Sequence, residues 1–154
     1  MGEAQASAEP QVDEDSPEAL IRALGELVDF INRSSGGLPV ETTVLARQVT
    51  DVLWTIIQSS EDRALDVHAV ITVRAITEDY LPTTLRAYLA LDPALTEVAG
   101  RTGKTPRDLA ADQVAALWES AASVLQATAE QDVSALMVQG KFLETKFARS
   151  DLEL

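Results

Sequence analysis

Residues 106–147 read PRDLAADQVAALWESAASVLQATAEQDVSALMVQGKFLETKF, and their spacing decides the fold. Apolar or small side chains recur at Val114, Leu117, Ala121, Leu125, Ala129, Val133, Leu136, Gly140, Leu143 and Phe147. The steps of three and four average about 3.7 residues, near the helical period and longer than the 3.5 of a coiled-coil heptad. The start is marked too, by Thr105-Pro106-Arg107-Asp108. A threonine hydroxyl can cap a free amide, proline in the first turn loses nothing, and an acid suits the positive end of the dipole. At 1.5 Å per residue this predicts a nearly straight helix about 60 Å long, longer than a small domain is wide.

The chain before it reads as shorter helices. Ser16-Pro17-Glu18 is a helix start, followed by Leu20, Leu24, Leu27, Val28 and Ile31 on one face and a stop at Ser34-Ser35-Gly36-Gly37. A second helix is predicted over 39–58, with Leu45, Val49, Val52, Leu53 and Ile56 buried and Trp54 at a seam. Ser59-Ser60-Glu61-Asp62 breaks it. Residues 65–91 contain β-branched Val67, Val70, Ile71, Val73 and Ile76, and the alternation of Val67, Ala69, Ile71 and Val73 would suit a strand. No second strand offers it backbone partners, so a helix is expected, with apolar residues on several sides and the deepest burial of the set. Pro82 should kink or restart it near Tyr80-Leu81. Residues 92–104 form a basic connector with room for one short helix. The fold class is all-α, a bundle of about four major helices over 16–148, with an acidic disordered tail over 1–15 and a frayed end over 149–154.

Composition narrows the function. The formal charge is −13 and the pI is near 4.3, which disfavours nucleic acid and anionic membrane as partners because both would repel the chain. Cysteine is absent, removing disulfides, thiol chemistry and thiolate metal sites. No apolar run approaches the ~20 residues of a membrane span, no basic-then-apolar leader is present, and Ala6 stands where a myristoylation motif wants Ser or Thr. A cytoplasmic location is expected.

Few residues invite chemistry. Gly100-Arg101-Thr102-Gly103-Lys104-Thr105 resembles half of a phosphate loop, but Val98 stands where that motif needs glycine and Pro106 removes an amide. It reads as a turn into a capped helix. His68 is the single histidine and reads as an ordinary helix position rather than a proton carrier. Glu78 and Asp79 are adjacent, so their carboxylates diverge on a helix and are best explained as first-turn acids. Asp132 falls beside the apolar stripe of the long helix, and Arg74 is its expected buried partner. Tyr80, Pro82, Arg86 and Tyr88 gather around the proline as a candidate contact site, because tyrosine and arginine dominate binding hot spots. No catalytic, cofactor or metal-binding residues are assigned.

Arg74-Ala75-Ile76, Asp79-Tyr80-Leu81-Pro82-Thr83-Thr84-Leu85-Arg86-Ala87-Tyr88-Leu89, then Glu130-Gln131-Asp132-Val133-Ser134-Ala135-Leu136 and Phe142-Leu143-Glu144 follow one another in an order that resembles the XpaC-type and TelA-type helical proteins of bacteria. The resemblance covers residues 70–147 and leaves the first sixty unmatched. It implies a helical fold in a bacterial stress or resistance setting. It also implies a link to phosphate-ester hydrolysis, without supplying catalytic residues, and the membrane segments of some relatives are missing. The first expectation is a non-enzymatic adaptor or scaffold acting through protein contacts or self-association. The alternatives are a phosphate-ester hydrolase and a small-ligand binder with a pocket near Tyr80 and Trp54.

Overall fold

The computed structural model describes residues 13–152. Helix α1 (Pro17–Ser34) begins where the Ser16 hydroxyl accepts the Ala19 amide at 3.2 Å. It buries Leu20, Leu24, Leu27 and Ile31 at steps of four, three and four. A short 3₁₀ turn over Ser35–Gly37 reverses the chain. At Gly37 the chain passes close to Leu89: a Cβ there would stand 3.0 Å from the Leu89 side chain, which would have to shift to admit it.

Helix α2 (Val40–Gln58) is the most deeply buried element, packed between α1 and the long C-terminal helix. Thr42, Thr43 and Thr50 join Ala46, Val49, Leu53, Ile56 and Ile57 in its interior, while Leu45 and Val52 are half-buried and Trp54 is exposed. This corrects the expectation that the third helix lies deepest. That helix packs one side on α1 and the long C-terminal helix, and Val67 and Ile71 turn their β-branched side chains to water.

The third helix is continuous in three parts: α3 (Val67–Ala75), a π-helical turn over Ile76–Tyr80, and α4 (Leu81–Leu89). Asp66 caps it by accepting the Ala69 amide at 2.8 Å, and no strand occurs among the described residues. The helix continues through Pro82 because the preceding turn is wide. The Leu81 amide donates to the Ile76 carbonyl five residues back, relieving the clash that a proline ring makes with an α-helical turn. The same turn takes up the five-residue step between Ile76 and Leu81, so both stay in the core with Val73 and Leu85.

After a 3₁₀ turn over Pro93–Leu95, the connector folds on itself: Gly103 adopts φ +78°, and the Gly100 amide donates to the Lys104 carbonyl at 3.1 Å. Thr105 then accepts the Asp108 amide at 3.1 Å and α5 (Pro106–Leu152) begins. Its 47 residues span about 70 Å. The helix runs to Leu152, and nothing after Gly140 breaks it. Most of the acidic tail, residues 1–12, lies outside the described residues. Its last members are ordered against the bundle, with Glu14 and Asp15 paired to Arg74.

Only the first half of α5 belongs to the core. Ala110, Val114, Ala121, Val124 and Thr128 are buried against α2, α3 and α4, and every residue over 129–149 is exposed. No helix among the described residues is long and apolar enough to cross a membrane.

Candidate interaction surface

The surface begins where α5 leaves the bundle, and a polar clamp fixes that exit. Arg63, in the turn before α3, reaches Asp132 with Nη2 to Oδ1 at 2.7 Å. The same guanidinium donates to the Thr128 carbonyl and to Gln131 Oε1, each at 3.4 Å. Gln131 in turn donates its amide to Asp66 at 3.0 Å. The Ala69 amide first, and the Gln131 side chain second, hold the Asp66 carboxyl below its ordinary pKa. The expected buried pair of Asp132 with Arg74 is therefore corrected. Asp132 lies past the last buried residue of α5 and is 59% exposed, while Arg74 bonds Glu78 and Asp15 at 3.1 Å each and Glu14 as well.

Beyond the clamp the helix carries Val133, Leu136, Met137, Phe142, Leu143 and Phe147 into solvent, with Leu136 72% exposed and Phe147 67%. The average period conceals two. Over 114–129 the small and apolar positions advance fifteen residues in four steps; from Val133 through Leu136, Gly140 and Leu143 to Phe147 they advance fourteen in four, the 3.5 of a heptad. The exposed row lies about a quarter-turn around the helix from the buried line of Ala110, Val114, Ala121 and Thr128, and Val138 and Phe142 fall on the far side. Residues 129–149 hold three acids (Glu130, Asp132, Glu144) and three bases (Lys141, Lys146, Arg149), so they net zero in a chain of −13.

The four residues grouped around Pro82 are divided between two faces. Pro82 and Arg86 border a cleft of about 200 Å³ against α1, with the Arg86 guanidinium 5.2 Å from the centre of the Phe30 ring. Tyr88 borders a separate groove of about 300 Å³ with Leu91, Pro106 and Leu109 on the α5 side. Tyr80 is exposed and, like Trp54, lines neither. Helix geometry separates them: positions 80 and 88 turn away from the line that 82 and 86 share.

The remaining candidates are occupied locally. His68 is exposed in the first turn of α3. Glu78 pairs with Arg74, whereas Asp79 accepts the Thr83 hydroxyl at 3.2 Å. In the glycine-containing connector, Lys104 is bound to Asp112 at 2.5 Å, which raises its pKa, and the Gly100 and Gly103 amides already donate to loop carbonyls. A two-pronged ion pair joins Arg107 of α5 to Glu41 of α2, at 2.5 and 2.9 Å, with Glu97 at 3.0 Å. The guanidinium pulls the Glu41 carboxyl down to about 2. Among the described residues no group of three or more His, Asp or Glu side chains converges to hold a metal.

The helical rod beyond residue 128 thus carries seven exposed large apolar side chains, and comparison with known proteins adds no family to it: no family model, curated protein or solved structure matches the chain.

Proposed function

We propose that the protein is a non-enzymatic adaptor or scaffold that works by helix-to-helix contact. Residues 129–149 of α5 serve as the docking element and the bundle as its mount. The observation that supports this is the exposed row itself, from Val133 to Phe147, on a helix whose first half buries one face in the bundle. Covering a large apolar side chain stabilises by roughly 1.5–3 kcal/mol, so a row of several is a strong reason for a partner to bind. The Arg63, Asp132, Gln131 and Asp66 clamp suits that role by fixing the direction in which the rod leaves the bundle. The resemblance of residues 70–147 to XpaC-type and TelA-type proteins supports placing the contact in a bacterial stress or resistance system.

The test is affinity capture and chemical cross-linking with the full chain and with a Leu136→Asp, Leu143→Asp double variant. Both leucines are exposed, so the variant should fold as the parent does. A specific complex formed by the parent and lost in the variant is the expected result. Equal behaviour of the two chains, with no complex from either, would end the reading.

A further inference from the structure

We infer that the occupant of the exposed row is the same row of a second copy laid antiparallel, so that two chains meet along α5 with their bundles at opposite ends. This rests on the docking reading above and names its partner.

The period selects the kind of partner. Steps of three, four, three and four along Val133, Leu136, Gly140, Leu143 and Phe147 match a helix with the same repeat, since each side chain then fits between residues of the facing helix. A sheet edge or an irregular groove has no such spacing.

Side-chain size selects the direction. When Val138 is the centre of the overlap, Phe147 faces the partner's Ala129, Leu143 faces the partner's Val133, and Gly140 faces the partner's Leu136. Every layer then holds at least one large side chain. The parallel alternative stacks Phe147 on the partner's Phe147 and sets Gly140 on the partner's Gly140, crowding one layer and leaving a void in another.

Charge agrees. Residues 129–138 carry Glu130 and Asp132, a net of −2; residues 139–149 carry Lys141, Lys146 and Arg149 against Glu144, a net of +2. The antiparallel arrangement lays −2 against +2 twice, and Asp132 flanks the partner's Lys146. One like-charge contact, Glu144 beside the partner's Glu130, comes with it. A parallel pair would lay each half on its own sign throughout.

The bundles favour the same direction. Residues 129–149 net zero, so the remainder of each chain carries the whole −13. Antiparallel rods hold the two Thr128 positions about 30 Å apart, well beyond the ~8 Å screening length at physiological salt. Parallel rods would bring the acidic bundles side by side.

The experiment uses the full chain, whose lack of cysteine makes an introduced one a unique label. Sedimentation should show twice the 16.6 kDa chain mass at high concentration, falling to the single mass in the Leu136→Asp, Leu143→Asp variant with its helical spectrum retained. Spin labels at Arg149→Cys should lie about 33 Å apart along the rod, whereas a parallel pair would set them level along the rod and separated only by the width of two helices, on the order of 20 Å. The inference is overturned by a single-chain mass at every concentration, by a dimer with the short label distance, or by a dimer that the double variant leaves intact. A chain that stays single yet captures another protein through the same leucines would overturn self-pairing and leave the adaptor reading standing.

Discussion

Arg63 and Asp132 are joined at 2.7 Å across the point where α5 leaves the bundle, four residues beyond Thr128, the last buried position of that helix. Both side chains are more than a third exposed, so the pair directs the helix more than it stabilises the fold. Asp132→Asn should cost less than about 1 kcal/mol in chemical unfolding. Hydrogen exchange is the sensitive readout: amides just past Thr128 should exchange faster in the variant, while those of α2 stay unchanged. A loss of several kcal/mol would mean that the carboxylate is a core element after all.

The helices were legible because their ends are chemically marked. Ser16-Pro17 and Thr105-Pro106 open helices where the sequence places them, and the three-and-four spacing of Leu20, Leu24, Leu27 and Ile31 is the buried line of α1. What stayed hidden depends on distance in space. Thr42, Thr43 and Thr50 look like surface residues until α1 and α5 close over α2. Nothing in the spacing tells that Arg63 rather than Arg74 reaches Asp132, or that Arg107 crosses to Glu41. Two local signals were present and blurred. The five-residue step from Ile76 to Leu81 marks the π turn, and averaging along α5 merged a buried period with a heptad. Tyr80 and Tyr88 neighbour Pro82 and Arg86 in the sequence and turn to other faces of the helix.

Thr42 offers a stabilising change. Its side chain is fully buried and its hydroxyl has no hydrogen-bond partner, so folding strips water from a polar group and returns nothing. Thr42→Val keeps the branched shape and removes the unpaired oxygen. It should raise stability by about 1 kcal/mol, or the melting temperature by roughly 3 °C for a domain of this size. Calorimetry decides the matter, and a lowered melting point would show that the hydroxyl is satisfied in solution.

The Glu41–Arg107 pair predicts a particular acid dependence. Its carboxyl is held at about 2 by the guanidinium, against an ordinary 4.5. Because the folded value is depressed, the contribution is fully present above the ordinary value and is lost as pH falls toward about 2. The parent should therefore melt above Glu41→Gln at neutral pH, and the gap should close between roughly pH 4.5 and pH 2 as the carboxyl protonates. Arg107 remains charged throughout, its own pKa raised by Glu41 and then Glu97, so the closing gap reports the carboxyl alone. A gap that persists at pH 2, or one absent at neutral pH, contradicts the pairing.

The division of α5 into a core half and an exposed half makes a contrast between two leucines. Leu53 on α2 is completely buried where α1, α2 and α5 meet, while Leu136 is 72% exposed on the rod. Leu53→Ala removes atoms the surroundings cannot replace and should cost about 2–5 kcal/mol. Leu136→Ala removes as many atoms and should change the unfolding of a single chain by less than about 0.5 kcal/mol. Urea titrations at low concentration measure both, and repeating them at high concentration adds a second comparison. If the rod is covered by another helix, the Leu136 deficit should grow with concentration, because association stabilises the folded chain by mass action. The Leu53 deficit should keep its size, since that residue takes no part in the rod.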